Sequence, residues 1–164
     1  MNLLRNFITF ALFVILIVSF SQAEASKEPV WSWSSSTSIT DVSISSDSRN
    51  ITATYARSVS LWKNDTDSPH NPYNTKTLTE GISDMAMSSS GDYVLTGEET
   101  NKVTLWNEGS KVWDKGGFLN GIYGVDISDD GSNITVVDQK NVYFFSKDSS
   151  TEVWNENFAE QYMA

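Results

Sequence analysis

One histidine, a set of carboxylates and many hydroxyls are the side chains of this chain that are suited to catalysis or metal binding. His70 is the only histidine, so it would have to be the base of any Ser-His-Asp arrangement for nucleophilic catalysis. It lies in NDTDSPHNPYN, a stretch of Asn, Asp, Ser and Pro that predicts a loop. We interpret His70 as a solvated loop residue and predict no catalytic residue and no enzyme.

Metal binding is limited by the same shortage of ligands. With a single His and no Cys, only carboxylates and carbonyls remain, and these suit calcium rather than zinc. The densest acidic stretch, DISDDGS, supplies Asp126, Asp129 and Asp130, but it lacks the ligand spacing and the final Glu of a calcium-binding helix-loop-helix. The sequence favours a β-turn with Gly131 in the left-handed conformation over a metal site.

Two other polar motifs are also predicted to be structural. Glu98 and Glu99 form a carboxylate pair in GEETNK, which we interpret as a solvated hairpin turn. KGGF at 115–118 precedes a strand pattern and no helix, so it is a turn rather than a phosphate-binding loop. We therefore predict no cofactor.

The elements that position these residues belong to a repeat. Three related segments, ITDVSISSDSRNI, ISDMAMSSSGDYV and IYGVDISDDGSNI, begin at Ile39, Ile82 and Ile122, about 40 residues apart. Aromatic residues recur with the same period, and we predict that they are structural repeat positions: Trp31, Trp62, Trp106, Trp113, Phe145 and Trp154. A period near 40 is typical of the blades of a β-propeller.

Within each repeat the pattern is that of strands. Apolar side chains stand two residues apart, as in Val42 and Ile44, which is the spacing of one face of a strand. A turn rich in Ser, Asp or Gly follows, then two β-branched or aromatic runs and a fourth strand that carries a Trp. Counting VWSW at 30–33 as a leading fourth strand predicts 13 strands and essentially no helix. We expect an all-β propeller segment of about three four-stranded blades.

The first 25 residues have the three parts of an export signal. Arg5 supplies the positive charge, Phe7 to Phe20 are apolar, and Ala23 and Ala25 occupy the small-residue cleavage positions. The apolar run is shorter than the ~20 residues needed to span a bilayer. We predict a signal peptide at 1–25 and a secreted, cell-surface or periplasmic protein. The alternative is a chain anchored in a membrane by the uncleaved N-terminal helix.

Residues 26–164 are predicted to form the propeller repeats, with units at about 30–71, 72–111 and 112–152 and the start of a further unit at 153–164. Propellers close with about four to eight blades, so three blades leave two open apolar faces. We expect self-association, or further blades of a longer chain. The residues expected on the open faces are Ile51, Ala53 and Tyr55 in the first unit and Ile134, Val136 and Phe144 in the third.

The net charge and the glycosylation sequons bear on the partners and surface chemistry that we expect for this chain. A net charge of −10 repels phosphate backbones and anionic lipid heads, which argues against nucleic acid and membrane surfaces. Glycosylation sequons occur at Asn50, Asn64 and Asn133. Asn50 and Asn133 share one repeat position just after the first turn, where we expect an attached glycan to be exposed.

At the repeated segments the sequence resembles the WD-repeat propellers and, more closely, the exported propeller repeats of bacteria and archaea, over residues 30–158. The resemblance implies a non-enzymatic binding scaffold that presents loops to a protein or a glycan. One alternative is a quinone-dependent dehydrogenase propeller, because GSKVW at Gly109–Trp113 resembles the docking element of that family. Another is a structural scaffold of an envelope or surface assembly.

Overall fold

The computed structural model describes residues 31–64 and 71–158, and the second of its two units begins at Trp33. The predicted signal peptide and His70 lie outside the described residues. In the second unit the strands are β1 (Ile39–Ile44), β2 (Asn50–Tyr55), β3 (Ser58–Lys63), β4 (Asn74–Thr77), β5 (Ile82–Met87), β6 (Tyr93–Glu98), β7 (Lys102–Asn107), β8 (Ser110–Gly116), β9 (Ile122–Ile127), β10 (Asn133–Asp138), β11 (Asn141–Ser146) and β12 (Trp154–Asn157). The described residues contain no helix, and hence none that could cross a membrane.

The strands form three antiparallel sheets of four consecutive strands each. We call these sheets blade 1 (β1–β4), blade 2 (β5–β8) and blade 3 (β9–β12). The first strand of each blade lies against the first strand of the next, β1 on β5 and β5 on β9. Three four-stranded meanders joined at their first strands are what a propeller requires, so the predicted all-β class and blade composition are confirmed.

The predicted leading strand VWSW is absent, because its described residues, 31–33, form no strand. A fourth strand must hydrogen-bond to a third strand, and β3, β7 and β11 are already paired on both sides. Trp33 instead packs its ring on Tyr55 and Trp62, with both pairs of ring centroids 5.1 Å apart. The aromatic pattern was therefore a sign of packing at this position and not of a strand.

The first turn of each blade is built in the same way. Its first residue is a serine in all three blades: Ser45, Ser88 and Ser128. The serine hydroxyl accepts the backbone N–H of the residue five positions later, at 2.9, 3.2 and 3.0 Å. The turn also needs one residue with positive φ, which is Ser48 in blade 1 (61°), Gly91 in blade 2 (77°) and Gly131 in blade 3 (73°). The left-handed conformation predicted for Gly131 is confirmed.

The core lies between the blades. Each blade has a leading face, turned toward the preceding blade, and a trailing face, turned toward the next. Between blades 1 and 2 the buried residues are Val59 and Leu61 of blade 1 and Ile82, Met85, Val94 and Trp106 of blade 2. Between blades 2 and 3 they are Leu95, Val103 and Leu105 of blade 2, Ile122, Ile127, Ile134, Val136 and Phe145 of blade 3, and the linking residue Phe118.

This packing corrects part of the expected set of open-face residues. Ile134 and Val136 are fully buried against blade 2, so they belong to the covered face of blade 3. Ala53 is also buried, while Ile51 and Tyr55 are half-buried. A period of two assigns residues to the two faces of a strand, but it does not say which face meets a neighbour. That choice depends on the direction in which the chain steps from blade to blade.

Candidate interaction surface

Three of the predicted repeat positions are core positions. Trp62, Trp106 and Phe145 are the second-last residues of β3, β7 and β11, and their exposed fractions are 4, 7 and 0%. Trp106 donates its indole N–H to the Thr96 hydroxyl over 3.0 Å. These three side chains are buried on the leading face of their blades. They therefore stabilise the packing of the blades and are not part of a surface that a partner could contact.

The other aromatic repeat positions lie nearer the surface. Trp113 is half-buried in β8 and donates its indole N–H to the Lys147 carbonyl of blade 3 over 2.7 Å. It therefore ties blade 2 to blade 3, and the GSKVW stretch around it begins at the turn residue Gly109, whose φ is 77°. Trp154 stacks on Phe144 at 5.6 Å and is 48% exposed. Trp31 is half-buried outside any strand.

The acidic turn of blade 3 is held by serines. Asp130 accepts the Ser128 hydroxyl over 2.6 Å and both the N–H and the hydroxyl of Ser132, over 2.9 and 2.7 Å. The Ser128 hydrogen bond, followed by those from Ser132, lowers the pKa of Asp130 to about 2. Among the described residues, no group of three or more His, Cys, Asp or Glu is arranged to hold a metal ion.

Glu98 is not in a solvated turn, and that interpretation is wrong. It is the last residue of β6, and its side chain is fully buried. One carboxylate oxygen, Oε1, accepts the Thr104 hydroxyl over 2.7 Å, and the other, Oε2, lies 3.1 Å from the Lys102 ammonium. Glu99, the next residue, is exposed. Strand β6 includes Gly97 and Glu98, the first two residues of GEETNK, so the first carboxylate lies in the strand and is buried there.

The three sequons differ in their surroundings. Asn50 is half-buried, and its side-chain amide donates to the Ser90 carbonyl of blade 2 over 2.8 Å. Asn133 is exposed, and its amide donates to the neighbouring Ser132 hydroxyl over 2.9 Å. Asn64 is exposed and donates to the Ser48 carbonyl over 3.0 Å. The expected exposure of the shared repeat position applies to Asn133 and not to Asn50, while glycosylation itself stays a prediction.

The candidate site is a cleft of about 230 Å³ between the first strands of blades 1 and 2. Its walls are Thr40, Asp41 and Thr54 of blade 1 and Ile82, Ser83 and Asp84 of blade 2. The hydroxyls of Thr40 and Thr54 lie 2.9 Å apart in a hydrogen bond. The cleft thus combines two carboxylates with hydroxyls beside one apolar side chain.

The two carboxylates of the cleft are held by different contacts. Asp84 accepts the backbone N–H of Val125 in blade 3 over 2.7 Å, so its carboxylate is fixed by the next blade. Asp41, at the same repeat position in blade 1, accepts the N–H of its own neighbour Val42 over 2.7 Å. Position 124 of blade 3, the third equivalent, is a glycine. The acidic pair could have been found by aligning ITD, ISD and IYG, since it recurs at one repeat position.

An aromatic side chain continues this surface onto blade 3. Tyr123 occupies the repeat position of Thr40 and Ser83, and it is 66% exposed. We call Thr40, Asp41, Ser83, Asp84 and Tyr123 the first-strand surface. Carboxylates make strong hydrogen bonds to ammonium and guanidinium groups, and a tyrosine ring attracts a cation over its face. This surface can therefore accept a positively charged group.

Comparison with known proteins agrees with this architecture. The WD domain, G-beta repeat family matches residues 72–107, from just before β4 to the end of β7. No curated protein matches the chain by sequence.

Solved structures extend the likeness to about three quarters of the chain. The chain is similar to the crystal structure of the RRP9 WD40 repeats (TM-score 0.65, 14% identity, 75% of this chain) and to the structure of U3-55K (TM-score 0.66, 14% identity, 76% of this chain). It spans 39 and 41% of the lengths of these two proteins. The chain thus has the fold of the WD-repeat β-propellers.

Proposed function

We propose that this chain is an exported, non-enzymatic WD-repeat propeller scaffold that binds a protein partner through its first-strand surface. The observation that carries the proposal is the cleft whose walls include Asp41 from blade 1 and Asp84 from blade 2. The exposed Tyr123 occupies the equivalent first strand of blade 3. Fold alone does not fix function. The chemistry of this surface supplies the argument for a ligand.

The surface is preorganised by contacts between blades. The Ser46 N–H donates to the Ser89 carbonyl over 2.9 Å, and the Ser89 N–H donates to the Asp129 carbonyl over 3.0 Å. These two bonds join the first turns of the three blades in series, and the Asp84–Val125 bond adds a third link near the cleft. A surface held in place before binding loses less conformational freedom when a partner docks.

The charge of the chain indicates the chemistry of the partner. The cleft carries two carboxylates, and the whole chain has a net charge of −10. Such a potential attracts basic partners and repels acidic ones. We infer that the partner presents a Lys or Arg side chain to the cleft, from a protein segment rather than from a nucleic acid.

A displayed library of random peptides, selected on the full chain, tests this function. We expect the enriched peptides to contain Lys or Arg. Replacing both cleft carboxylates (Asp41→Asn and Asp84→Asn) should weaken their binding about 10-fold, since a hydrogen bond to a charged group contributes about 1.5–3 kcal/mol. The amides keep the size of the side chains and an oxygen that can accept the Val125 N–H.

The matched control is Asp92→Asn, because Asp92 is an exposed carboxylate in the first turn of blade 2. It should leave peptide affinity unchanged. Enrichment of peptides without basic residues, or equal losses in the control and the double variant, would contradict the assignment of the site.

Export is tested separately by the mass of the secreted chain. Cleavage after Ala25 predicts an N-terminus at Ser26. Intact-mass measurement of material recovered outside the cell should give that N-terminus, and a retained Met1 would reject the signal-peptide prediction.

A further inference from the structure

Blade 1 has an uncovered leading face at positions that are covered in the other two blades. Ile39, Val42 and Ile44 of β1 are 50, 65 and 57% exposed. Four of their six equivalents in β5 and β9 are buried against the preceding blade, with exposures of 6% for Ile82, 6% for Met85, 5% for Ile122 and 7% for Ile127. The other two, Met87 and Val125, are half-buried and pack against the same cores. The side-chain chemistry is the same in all three strands. What differs is that a neighbouring blade covers β5 and β9.

Blade 3 has the complementary uncovered face. An apolar residue follows the fourth strand at one repeat position in each blade: Leu78, Phe118 and Phe158. Leu78 and Phe118 pack into the core layer shared with the next blade, and Phe118 meets the Tyr143 ring edge-on at 5.0 Å. Phe158 is 46% exposed. It borders an apolar groove of about 320 Å³ whose other walls are the residues of the β10–β11 hairpin, 137–142.

We propose that these two faces bind each other between copies of this chain, the leading face of blade 1 in one copy docking on the trailing face of blade 3 in another. The proposed contact repeats the packing that the chain already makes twice, between blades 1 and 2 and between blades 2 and 3. In both internal interfaces, a leading face with apolar residues at the positions of Ile39 and Val42 packs on the trailing face of the preceding blade. The two exposed faces should therefore fit each other as the leading and trailing faces of the internal interfaces do.

The geometry of the contact sets the stoichiometry. A head-to-tail contact joins unlike faces, and it ends only when the ring closes. Two copies of three blades give six, which lies within the four to eight blades of closed propellers. Closure would cover both apolar faces of each copy. We therefore expect a pair and not an open filament.

Trp33 covers only part of the leading face. Its ring lies on Tyr55 and Trp62, while the three apolar residues of β1 stay exposed. These residues are the ones to change, because they are accessible in the single copy and a polar substitution there does not open a cavity.

Light scattering coupled to size exclusion, on the full chain at micromolar concentration, measures the association. We expect the mass of two copies. Val42→Asp should reduce it to the mass of one copy, because it places a charge in the apolar contact. Val112→Asp is the matched control, since Val112 is 46% exposed on β8, away from both open faces. It should leave the pair intact.

A mixing experiment tests the head-to-tail arrangement. Phe158→Asp should also give single copies, because it damages the trailing face. Mixing it with Val42→Asp leaves one intact leading face and one intact trailing face, so the mixture should recover the mass of a pair. Circular dichroism identifies any variant that has failed to fold. If one variant does not fold, the other still shows whether its own face takes part in the contact between copies.

Several results would overturn the proposal. They are a single-copy mass for the unchanged chain at all concentrations, equal losses with Val42→Asp and Val112→Asp, or a mixture that stays at the mass of one copy. None of these outcomes bears on the peptide selection at the first-strand surface, because Asp41 and Asp84 are unchanged in every variant.

Discussion

The leading faces of blades 1 and 2 carry the same tryptophan in two different environments. In blade 2 the Trp106 indole N–H donates to Thr96, as described above. In blade 1 the position of Thr96 is Ala53, and the buried indole nitrogen of Trp62 has no hydrogen-bond partner. A buried donor without an acceptor costs more than a missing pair does. The comparison shows that the repeat conserves shape more strictly than it conserves polar pairing.

Blade 3 supplies the third version of this pair, with both partners apolar. Phe145 takes the place of the tryptophan and Val136 that of the threonine, and both are fully buried. Replacing both members of a buried polar pair by apolar groups is nearly neutral for stability. Blade 1 is thus the version with the unsatisfied group, and blades 2 and 3 are two solutions to the same packing problem.

The largest expected effect comes from removing the shared aromatic side chain. Trp106→Ala and Trp62→Ala should each lower the free energy of unfolding by roughly 3–5 kcal/mol, through lost burial and a cavity. The loss for Trp106 should be the greater, because its hydrogen bond is lost as well. Chemical denaturation measures both, and losses below about 1 kcal/mol in both variants would contradict the packing role.

The next largest effect is expected from a substitution that gives blade 2 the unpaired indole found in blade 1. Thr96→Val keeps the volume of the side chain but removes the acceptor of the Trp106 indole. This variant should lower the free energy of unfolding by about 1–3 kcal/mol. The double variant Thr96→Val with Trp106→Phe removes the donor too, so the coupling measured in a double-mutant cycle should be clearly non-zero. Independent, additive losses would mean that the hydrogen bond contributes nothing.

The reverse change should stabilise blade 1. Ala53→Ser offers a hydroxyl to the unpaired Trp62 indole and should raise the free energy of unfolding by about 1 kcal/mol. The control is the same substitution in a Trp62→Phe background, where no donor is present and no gain is expected. A gain of equal size in both backgrounds would mean that the added stability does not come from a hydrogen bond to the Trp62 indole.

The smallest expected effect is the pH dependence of stability contributed by a second polar pair of the leading face. It joins the last residue of the second strand to the third strand in every blade: Tyr55–Ser60 at 2.8 Å, Glu98–Thr104 at 2.7 Å and Asp138–Tyr143 at 2.8 Å. Burial alone would raise the pKa of Asp138, but N–H groups of Leu119, Lys140 and Asn141 and the Tyr143 hydroxyl donate to it, and the net pKa lies below 3.8.

A carboxyl group whose pKa is lower in the folded chain stabilises the fold above its unfolded pKa, and the stabilisation is lost as the pH falls through the folded pKa. For Asp138 the loss should therefore begin near pH 3.8 and continue below it. Asp138→Asn should be less stable at pH 7 and show a flatter acid limb in denaturation at a series of pH values. An acid limb identical to that of the unchanged chain would exclude the role of Asp138.

Much of the fold could be predicted because the repeat marks its own elements. Three features are local and visible in the sequence: the alternation in β1, β5 and β9, the serine that opens each first turn and, in blades 2 and 3, the glycine at its positive φ. The direction of packing is not local. Ile134 and Phe144 both belong to apolar runs, yet one meets blade 2 and the other stacks on Trp154 at the outer face.

The candidate site was missed for a related reason. Asp41 and Asp84 each look like a solvated polar residue in an alternating strand, and only the contact between β1 and β5 brings them to one cleft. Glu98 is the opposite case, since its polar surroundings in the sequence predict exposure although Lys102 and Thr104 pair with it in the interior. In both cases the neighbouring strand decides the environment.

Amide hydrogen exchange of β1 and β5 measures whether the first strands of blades 1 and 2 differ in being covered by a preceding blade. The measurement is made on the Val42→Asp variant, which presents the uncovered face as a single copy. We expect β1 to exchange much faster than β5, because Ile39 and Ile44 are exposed whereas Ile82 and Met85 are buried by blade 1. Equal protection of the two strands in that single copy would show that the leading face of blade 1 is not uncovered.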